Sequence, residues 1–408
     1  MGKCVLMKES HTSTSAKAST QQNLVLMSLM MFLLSVGEGL TAPAIPLLSK
    51  TWGAGYWRIG LLMTGYGLAY TVMTITAGRL SDHFGRKLVL SISLALSLAA
   101  SIGYFLAENM LILSISRIIE GASRGILWPV SEAVIADNSE RGNAGRAMGT
   151  YAAAYGLGVT VGTLIGGAVM LNGGFAVFAF YPVLVTVAFL MISLCFTNNH
   201  VLKEPGISLN VEKIERQRTI KLLWPVGVIG FAYGGFLYSI WALLSASAND
   251  FGVQAGGIGV LFGFFWGLRT LSFLVCRVVI DHFGSKSTLL TGLILCTLGA
   301  GTLIMAKSFP IFLLATFLSG AGTGLMFPTV LVLVIERTTK KTRVFGMGFL
   351  ELLIGVGMVG QTAVAGFLGQ WVGPGWVYSS IFIFNVIALL VAMRTRWDEK
   401  ENILEIGT

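Results

Sequence analysis

The segment GRLSDHFGRK, residues 78–87, is the most informative part of this sequence because its centre is repeated much later in the chain. Asp82-His83-Phe84-Gly85 recurs as Asp281-His282-Phe283-Gly284, an offset of 199 residues (281 − 82), with Lys87 matched by Lys286. Each copy lies between two long apolar runs. We therefore expect both copies to be short polar connections between helices.

The same offset continues into the flanking apolar runs without a gap. It matches Gly121 to Gly320, Gly125 to Gly324, Pro129 to Pro328, Met148 to Met347, Gly156 to Gly355, Gly158 to Gly357 and Gly167 to Gly366. Chance in a glycine-rich chain does not explain a loop block and helix matches in one register. The sequence predicts two duplicated halves.

Composition indicates that these halves are embedded in a membrane. The chain is 54% hydrophobic and 12% charged, against roughly 25% charged in soluble domains. Runs of about 20 apolar residues, enough to cross a bilayer, recur along it. The prediction is an all-α membrane protein of twelve transmembrane helices in two six-helix pseudo-symmetric bundles. We expect spans near 23–47, 57–80, 88–106, 111–136, 146–171, 175–196, 221–247, 255–279, 288–307, 310–335, 345–371 and 375–394. The predicted segments are a tail (1–22), a bundle (23–197), a linker (198–219), a bundle (220–394) and a tail (395–408).

The basic residues predict the topology. Of 28 lysines and arginines, three fall on one side of the predicted spans and three inside them, which leaves 22 in the tails and the loops on the side of the termini. By the positive-inside rule both termini are cytoplasmic and the protein lies in the cell membrane. The net charge of +9 thus reports topology and contact with lipid, and predicts no binding of nucleic acid. The three on the far side are Lys50, Arg58 and Lys307, and those inside spans are Arg117, Arg124 and Arg269.

Enzyme and metal chemistry lack a sequence signal. The four cysteines are far apart, and the histidines lie in polar segments without ligand spacing. The segment Gly284-Ser285-Lys286-Ser287-Thr288 lacks the earlier glycine of a phosphate-binding loop. The sequence therefore predicts no enzyme, no metal and no cofactor.

The predicted fourth span carries a charged stripe. Its polar positions fall within about 100° of helical arc. Each intramembrane charge costs about 2.5–3.5 kcal/mol on insertion scales, so several on one face need compensation. Arg117 with Glu120, and Glu120 with Arg124, have the spacing of pairs on one helix face. The alternative to a transport site is a self-neutralised cluster that only holds helices together. The stripe is Arg117, Glu120, Gly121, Arg124 and Trp128.

Residues 78–87 resemble the cytoplasmic signature of the major facilitator superfamily. The resemblance implies a latch that holds the cytoplasmic side shut while the cavity faces outward. The alternative is a short basic loop that merely fixes topology. The latch residues are Gly78, Arg79, Asp82, Gly85, Arg86 and Lys87, with a weaker second copy at Asp281, Gly284 and Lys286. The arginine-then-glycine pattern of the fourth span resembles a second signature of this superfamily, in a cavity-lining helix that many members use for proton coupling.

Two further segments resemble the drug-antiporter branch of the superfamily. Glu38 is followed by Pro43 and Pro46, as at the end of the first span in that branch. Glu38 and the turn from Arg117 to Glu120 should lie at similar depth. Burial favours a neutral carboxyl and a nearby guanidinium an ionised one, and a proton-coupling site needs that competition. Glu38 or Glu120 is the predicted protonation site, against a static ion pair.

The second of these segments is the fifth span, with a glycine motif that has Thr163 where proline is usual. Small residues four apart let helices pack closely, so helix packing is the alternative to a coupling function. The motif residues are Gly158, Gly162, Gly166 and Gly167.

Aromatic and charged residues in the second half suggest the other wall of a cavity. Tyr238 and Trp241 share roughly one helix face, and Trp266 precedes Arg269 by one turn. Such a lining suits an amphipathic organic molecule, although aromatic residues at helical spacing also serve packing. Glu351 is the acid deep in this half.

The predicted function is secondary active transport by alternating access. We expect proton-coupled efflux of a small amphipathic organic compound by a monomer. One alternative is a proton-coupled uptake symporter for an organic solute. Another is a membrane receptor or assembly factor that kept the fold without transporting.

Overall fold

The computed structural model of this chain describes residues 2–139, 144–196, 213–339, 342–395 and 397. Regular structure within these ranges is helical, which confirms the all-α prediction for that part of the chain. The helices are α1 (Gly2–Thr41), α2 (Ala44–Thr51), α3 (Tyr56–Phe84), α4 (Arg86–Phe105), α5 (Met110–Asp137), α6 (Ala144–Gly173), α7 (Val177–Cys195), α8 (Lys213–Asp250), α9 (Ala255–Met305), α10 (Phe309–Arg337), α11 (Arg343–Trp371) and α12 (Ser379–Arg394), with 3-10 turns at Gly174–Ala176 and Pro374–Tyr378.

The outer surface of this helical bundle suits lipid. Ten helical segments of the described chain are long and apolar enough to cross a membrane. Large apolar side chains point outward, with Leu194 78% exposed and Trp371 73% exposed. Soluble proteins rarely expose extended apolar patches, and helices satisfy their own backbone polar groups inside a bilayer.

The repeated loop motif forms two equivalent breaks between helices. Gly85 separates α3 from α4 at φ 89° and ψ 149°, and Gly284 kinks α9 at φ 80° and ψ 159°. A positive φ is readily adopted only by glycine. The predicted spans 255–279 and 288–307 are thus the two arms of α9, joined at Gly284.

Some predicted boundaries differ from the helices. The predicted span 23–47 divides into α1 and α2 around Pro43, because proline cannot continue the helical hydrogen-bond ladder. Helix α1 begins inside the predicted tail 1–22, and α8 begins inside the predicted linker 198–219. Residues 198–212 of that linker, and most of the predicted tail 395–408, lie outside the described residues.

Equivalent positions of the two sequence halves make equivalent contacts. A Cβ placed on Gly121 would lie 2.2 Å from the carbonyl oxygen of Tyr66, and one on Gly320 would lie 2.3 Å from that of Phe265. Both glycines therefore allow a helix approach that a larger residue would block. Since Tyr66 and Phe265 are separated by the same offset as the two glycines, the sequence repeat is a structural repeat.

The two halves, residues up to 196 and residues from 213, meet along two equivalent helix pairs. Helix α6 contacts α9 and helix α3 contacts α11. A Cβ on Gly156 would lie 2.0 Å from the hydroxyl oxygen of Thr270, and one on Gly355 would lie 2.4 Å from that of Thr71. The pairs are related by the same offset, so a pseudo-two-fold axis passes between them.

These interfaces are tight at one end of the bundle and open at the other. Gly78, Gly149 and Gly348 lie seven residues, about two turns, from Thr71, Gly156 and Gly355 on the same helix faces. A Cβ on any of the three would meet no atom of the described chain within 4 Å. Among the described residues, the halves are apart at the end that carries Gly85 and Gly284, here called the turn end. The opposite end is called the Lys50 end.

Candidate functional site

A buried network of polar groups occupies the first half. Arg117 Nη1 donates to Glu120 Oε2 at 2.6 Å. The hydroxyl of Tyr104 donates to the same oxygen at 2.5 Å, and that of Tyr181 donates to Glu120 Oε1 at 2.9 Å. All four side chains are buried. The predicted pair is present, and Glu120 has three donors.

Arg124 forms its ion pair with another helix. Its Nη2 lies 3.1 Å from Glu38 Oε2 on α1, and also donates to the backbone oxygen of Leu34 at 3.2 Å and to Tyr181 at 3.3 Å. The sequence pattern predicted that Glu38 lies at this depth and that Arg124 pairs with Glu120. In the structure Arg124 pairs with Glu38, because Glu120 is already saturated by nearer donors.

Glu38 and Arg124 are less completely satisfied than Glu120. Glu38 Oε2 is at ion-pair distance from Arg124 Nη2 but accepts no hydrogen bond within the described chain, and two further Arg124 nitrogens, Nε and Nη1, are buried without a hydrogen-bond partner. An unsatisfied buried charged group carries a desolvation cost. The pair therefore retains hydrogen-bonding capacity that the Arg117–Glu120 pair has used.

Arg117 also reaches the boundary with the second half. Its guanidinium carbon lies 4.7 Å from the ring centre of Tyr66, and its Nη2 lies 3.0 Å from the sulfur of Met63. It lines a cavity of about 10 Å³, room for one water, together with Trp241 and Ala242 of the second half. The charge network is in this way adjacent to the interface between halves.

Four aromatic rings form a chain from one half to the other. Ring centres are 5.0 Å apart between Trp128 and Tyr155, 5.6 Å between Tyr155 and Trp266, and 5.0 Å between Trp266 and Trp241. Three of these were predicted cavity residues, and they lie together. Trp241 and Trp266 are buried against their neighbours. Tyr238, the fourth predicted aromatic, faces Tyr66 at 6.4 Å.

The charged residues of the second half lie apart from each other. Arg269 Nη2 donates to the hydroxyl of Tyr233 at 2.7 Å, and its guanidinium carbon lies 4.8 Å from the Trp266 ring centre. Glu351 lies on α11 within electrostatic range of Tyr70 and of Glu132 on α5. No ion pair joins Arg269 to Glu351 among the described residues.

Several residues of the site were missed by sequence reasoning. Glu132 follows Trp128 by four residues and so continues the predicted stripe of α5, a signal that was available. Tyr104 and Tyr181 come from α4 and α7 and carry no sequence signal, because only tertiary packing brings them to Glu120.

The motif residues at the turn end contact their own half. Arg86 lies 3.4 Å from Asp82 Oδ1 and 3.2 Å from Asp137 Oδ2, and Lys87 donates to the backbone oxygen of Phe196 at 2.9 Å. Arg79, Gly78 and Lys286 are exposed. In the second copy Arg277 lies 3.8 Å from Asp281, and Ser285 donates to Glu336 at 3.4 Å.

A polar cluster absent from the sequence predictions joins the halves at the Lys50 end. Lys50, at the end of α2, forms an ion pair with Asp250, at the end of α8. The hydroxyl of Tyr56 donates to the other Asp250 oxygen at 2.5 Å, and Lys50 Nζ lies 4.9 Å from the Tyr56 ring centre. One carboxylate of the second half is therefore held by two residues of the first.

The glycine motif of α6 lies at helix contacts. Cβ atoms on Gly158, Gly162 and Gly166 would lie within 2.7 Å of backbone oxygens or side-chain atoms of α1, and one on Gly167 would lie 2.7 Å from the Cα of Gly259 on α9. The first three positions are in contact inside the first half, and the last is in contact across the halves. Elsewhere, the described residues contain no group of three metal-ligating side chains.

Comparisons with known proteins agree with this architecture. The sequence profile described as "Major Facilitator Superfamily" matches residues 27–244 and 226–406. The chain is 27% identical over 241 residues to the quinolone resistance protein NorA of Staphylococcus aureus, an alignment that covers 56% of this chain and 61% of NorA. It is 22% identical to an uncharacterized MFS-type transporter of Methanocaldococcus jannaschii, over 91% of this chain and 97% of that protein. The crystal structure of the nucleoside transporter NupG superimposes with a TM-score of 0.74 at 12% identity, covering 91% of this chain and 99% of NupG.

Proposed function

Since this chain belongs to the Major Facilitator Superfamily, as its motifs predicted, we propose that it is a secondary active transporter that exports a small amphipathic organic compound in exchange for protons. Membership makes it a multi-pass membrane protein of a transporter family rather than an enzyme family. The observation that carries the proposal is the contrast between the two ends of the interface between halves.

The proposed topology has twelve spans and cytoplasmic termini. The ten candidate segments become twelve when α9 is counted as two arms around Gly284 and when α5 is added. Helix α5 is long enough to span, and its charges are compensated inside the protein. The proposed bundles are 23–197 and 220–394, joined by the linker 198–219. The basic residues then place the turn end in the cytoplasm.

The proposed mechanism is alternating access. The halves are packed at the Lys50 end and separated at Gly78, Gly149 and Gly348, which corresponds to a cavity open to the cytoplasm. Transport requires a second state that is closed at the turn end and open at the Lys50 end. In that state the faces of α3 and α11 around Gly78 and Gly348 come together, as the latch predicts.

Glu38 is the proposed protonation site. Glu120 already accepts three hydrogen bonds, and neutralising it would leave Arg117 without its carboxylate. Glu38 has one cationic partner, Arg124, and a buried oxygen without a hydrogen bond. Protonation of Glu38 would end its ion pair with Arg124, and this loss would alter the other polar contacts of the buried network.

The direction of transport is proposed from NorA, described as a quinolone resistance protein. An exporter of this kind takes its compound from the cytoplasm or inner leaflet, where the cavity opens. The uptake symporter is kept as the second candidate because Thr163 stands where the antiporter motif has proline. A receptor or assembly factor has less support, since the intramembrane charges and the latch aspartate Asp82 are both retained.

The test uses purified full-length protein in proteoliposomes. An imposed proton gradient should drive labelled amphipathic compounds opposite to the proton flow, and Glu38→Gln should abolish the gradient dependence. The matched control is Glu108→Gln, which makes the same change at an exposed loop residue and should transport normally. Movement with the proton flow would establish the symporter, and gradient-independent binding alone would contradict both transport functions.

A further inference from the structure

The three intramembrane arginines differ in how they are neutralised. Arg117 and Arg124 each have a carboxylate partner, at 2.6 Å and 3.1 Å. Arg269 has the hydroxyl of Tyr233 at 2.7 Å and the face of the Trp266 ring at 4.8 Å instead. Neither group carries a negative charge, so Arg269 forms no ion pair with a carboxylate in the described part of the chain. A cation inside a membrane-spanning bundle without a counterion is costly, and such residues mark functional positions in membranes.

Two hydrogen-bond donors at this position have no acceptor. Arg269 Nε and Trp266 Nε1 are buried and unpartnered among the described residues. They lie one helical turn apart on the same side of α9, and Trp266 is only 1% exposed. A guanidinium carries five N–H donors in a fixed fork and an indole carries one. An oxygen acceptor with negative charge would satisfy this pair and offset the charge of Arg269.

The position is at the boundary of the two halves. Trp266 contacts Tyr155 of the first half, and Thr270, next to Arg269, packs on Gly156. Arg269 itself is half-buried. Two turns further along α9, the side chain of Arg277 is 92% exposed. Arg269 therefore lies beside the interface between the halves, about two helical turns from the exposed turn end of α9.

The internal repeat shows that the charge of Arg269 has no counterpart at the matching position of the first half. Arg269 is the counterpart of Tyr70 in the first half, and their backbone oxygens pack on equivalent glycines, Gly324 on α10 and Gly125 on α5. Tyr70 lies within electrostatic range of Glu132 and Glu351. The counterparts of those two acids are Leu331 and Ala152. The two acids near Tyr70 therefore have no acidic counterpart at the matching positions around Arg269.

We propose that Arg269 and the N–H of Trp266 form a subsite for the carboxylate group of the transported compound. This inference rests on the proposed transport function and narrows its substrate class to organic compounds with an anionic group. The guanidinium binds one carboxylate oxygen through Nε, the indole N–H donates to the same group, and the aromatic rings around Trp266 cover the apolar part of the compound.

Binding measurements on the purified full chain test the subsite. The probes are a panel of aromatic carboxylates, each paired with its neutral carboxamide, such as 1-naphthoate with 1-naphthamide. In the wild type the panel should show carboxylates bound about tenfold or more tightly than their carboxamides, the range expected for a charged hydrogen bond. Arg269→Gln should remove that preference and leave carboxamide affinity unchanged.

Three further variants make the result specific. Trp266→Phe keeps an aromatic ring at this position and removes the indole N–H, so the preference for carboxylates should fall several-fold without being lost. Arg269→Lys keeps the positive charge but loses the forked N–H donors of the guanidinium. It should retain part of the preference for carboxylates, and it still tests the subsite if Arg269→Gln does not fold. Arg277→Gln removes an exposed arginine from the same helix and should keep the full preference.

Two results overturn the subsite: equal binding of carboxylates and carboxamides across the panel, or an unchanged preference in Arg269→Gln. Proton-driven transport of the same panel by the wild type separates this failure from failure of the proposed function. Transport without a carboxylate preference rejects the subsite alone. A carboxylate preference without gradient-driven transport rejects the transport function alone.

Discussion

Lys50 and Asp250 form an ion pair that joins the two halves of the chain at the end of the bundle opposite Gly85. Lys50 lies in the last turn of α2 in the first half, and Asp250 is the last residue of α8 in the second. Alternating access requires these helix ends to separate. The ion pair is therefore placed to hold the Lys50 end closed, together with the hydroxyl of Tyr56.

Reversing one of these charges should favour the state that is open at the Lys50 end. A partly exposed ion pair contributes up to about 1 kcal/mol, so Lys50→Asp or Asp250→Lys should shift the conformational equilibrium about fivefold. Spin labels on cysteines at Thr51 and Asn249, in a chain without the four native cysteines, should report a longer distance. The double variant, Lys50→Asp with Asp250→Lys, should restore the short distance. An unaltered distance in both single variants would show that the ion pair does not hold the Lys50 end closed.

Glu38 and Glu120 should respond differently to loss of charge. Glu120→Gln replaces one of the two acceptor oxygens of Glu120 by an NH2 donor and leaves Arg117 buried without its carboxylate, a loss of about 3–5 kcal/mol for a buried pair. Glu38→Gln removes one partner of Arg124, which keeps its bonds to Leu34 and Tyr181. Thermal unfolding in detergent should show a large decrease in Tm for Glu120→Gln and a small one for Glu38→Gln. Equal decreases would reject the assignment of a structural function to Glu120.

Much of the buried charge network in the first half was predictable, because an α-helix brings residues three and four positions apart to the same face. The pair of Arg117 with Glu120 follows from spacing alone, and the depth of Glu38 follows from the direction of the first and fourth spans. The partner of Arg124 did not follow, since competition for Glu120 depends on hydroxyls of Tyr104 and Tyr181 that fold in from other helices.

The ion pair at the Lys50 end could not be predicted from the sequence. The positive-inside rule marked Lys50 as a basic residue on the unexpected side, but spacing cannot say that Asp250, in the other half of the chain, ends beside it. Conversely, the constant offset between matching residues predicted the repeat, and the shared backbone conformation of Gly85 and Gly284 is what such a repeat requires.

Alanine at either repeated glycine should destabilise the protein by a similar amount. Gly85 and Gly284 have φ values of 89° and 80°, where a Cβ is strained by about 1 kcal/mol or more. We expect Gly85→Ala and Gly284→Ala each to lower Tm in detergent by a few degrees. Gly149→Ala is the control, because Gly149 is helical with open space around it, and alanine there should be neutral or stabilising by about 0.5–1 kcal/mol. A decrease at only one repeated glycine would show that the two breaks are not equivalent.

A bulky side chain at Gly78 should separate folding from transport. No atom of the described chain lies within 4 Å of a Cβ at this position, so Gly78→Leu should leave Tm within about 1 °C of the wild type. In the proposed mechanism, closure of the turn end brings the α3 face around Gly78 against α11, and leucine there would block it. Gradient-driven transport should therefore fall at least tenfold while binding from the turn end is kept. Leu80→Phe enlarges a neighbouring exposed residue on a different face of α3 and should transport normally. Full activity of Gly78→Leu would mean that the two faces never meet, and the predicted latch around Gly78 and Asp82 would then have no partner.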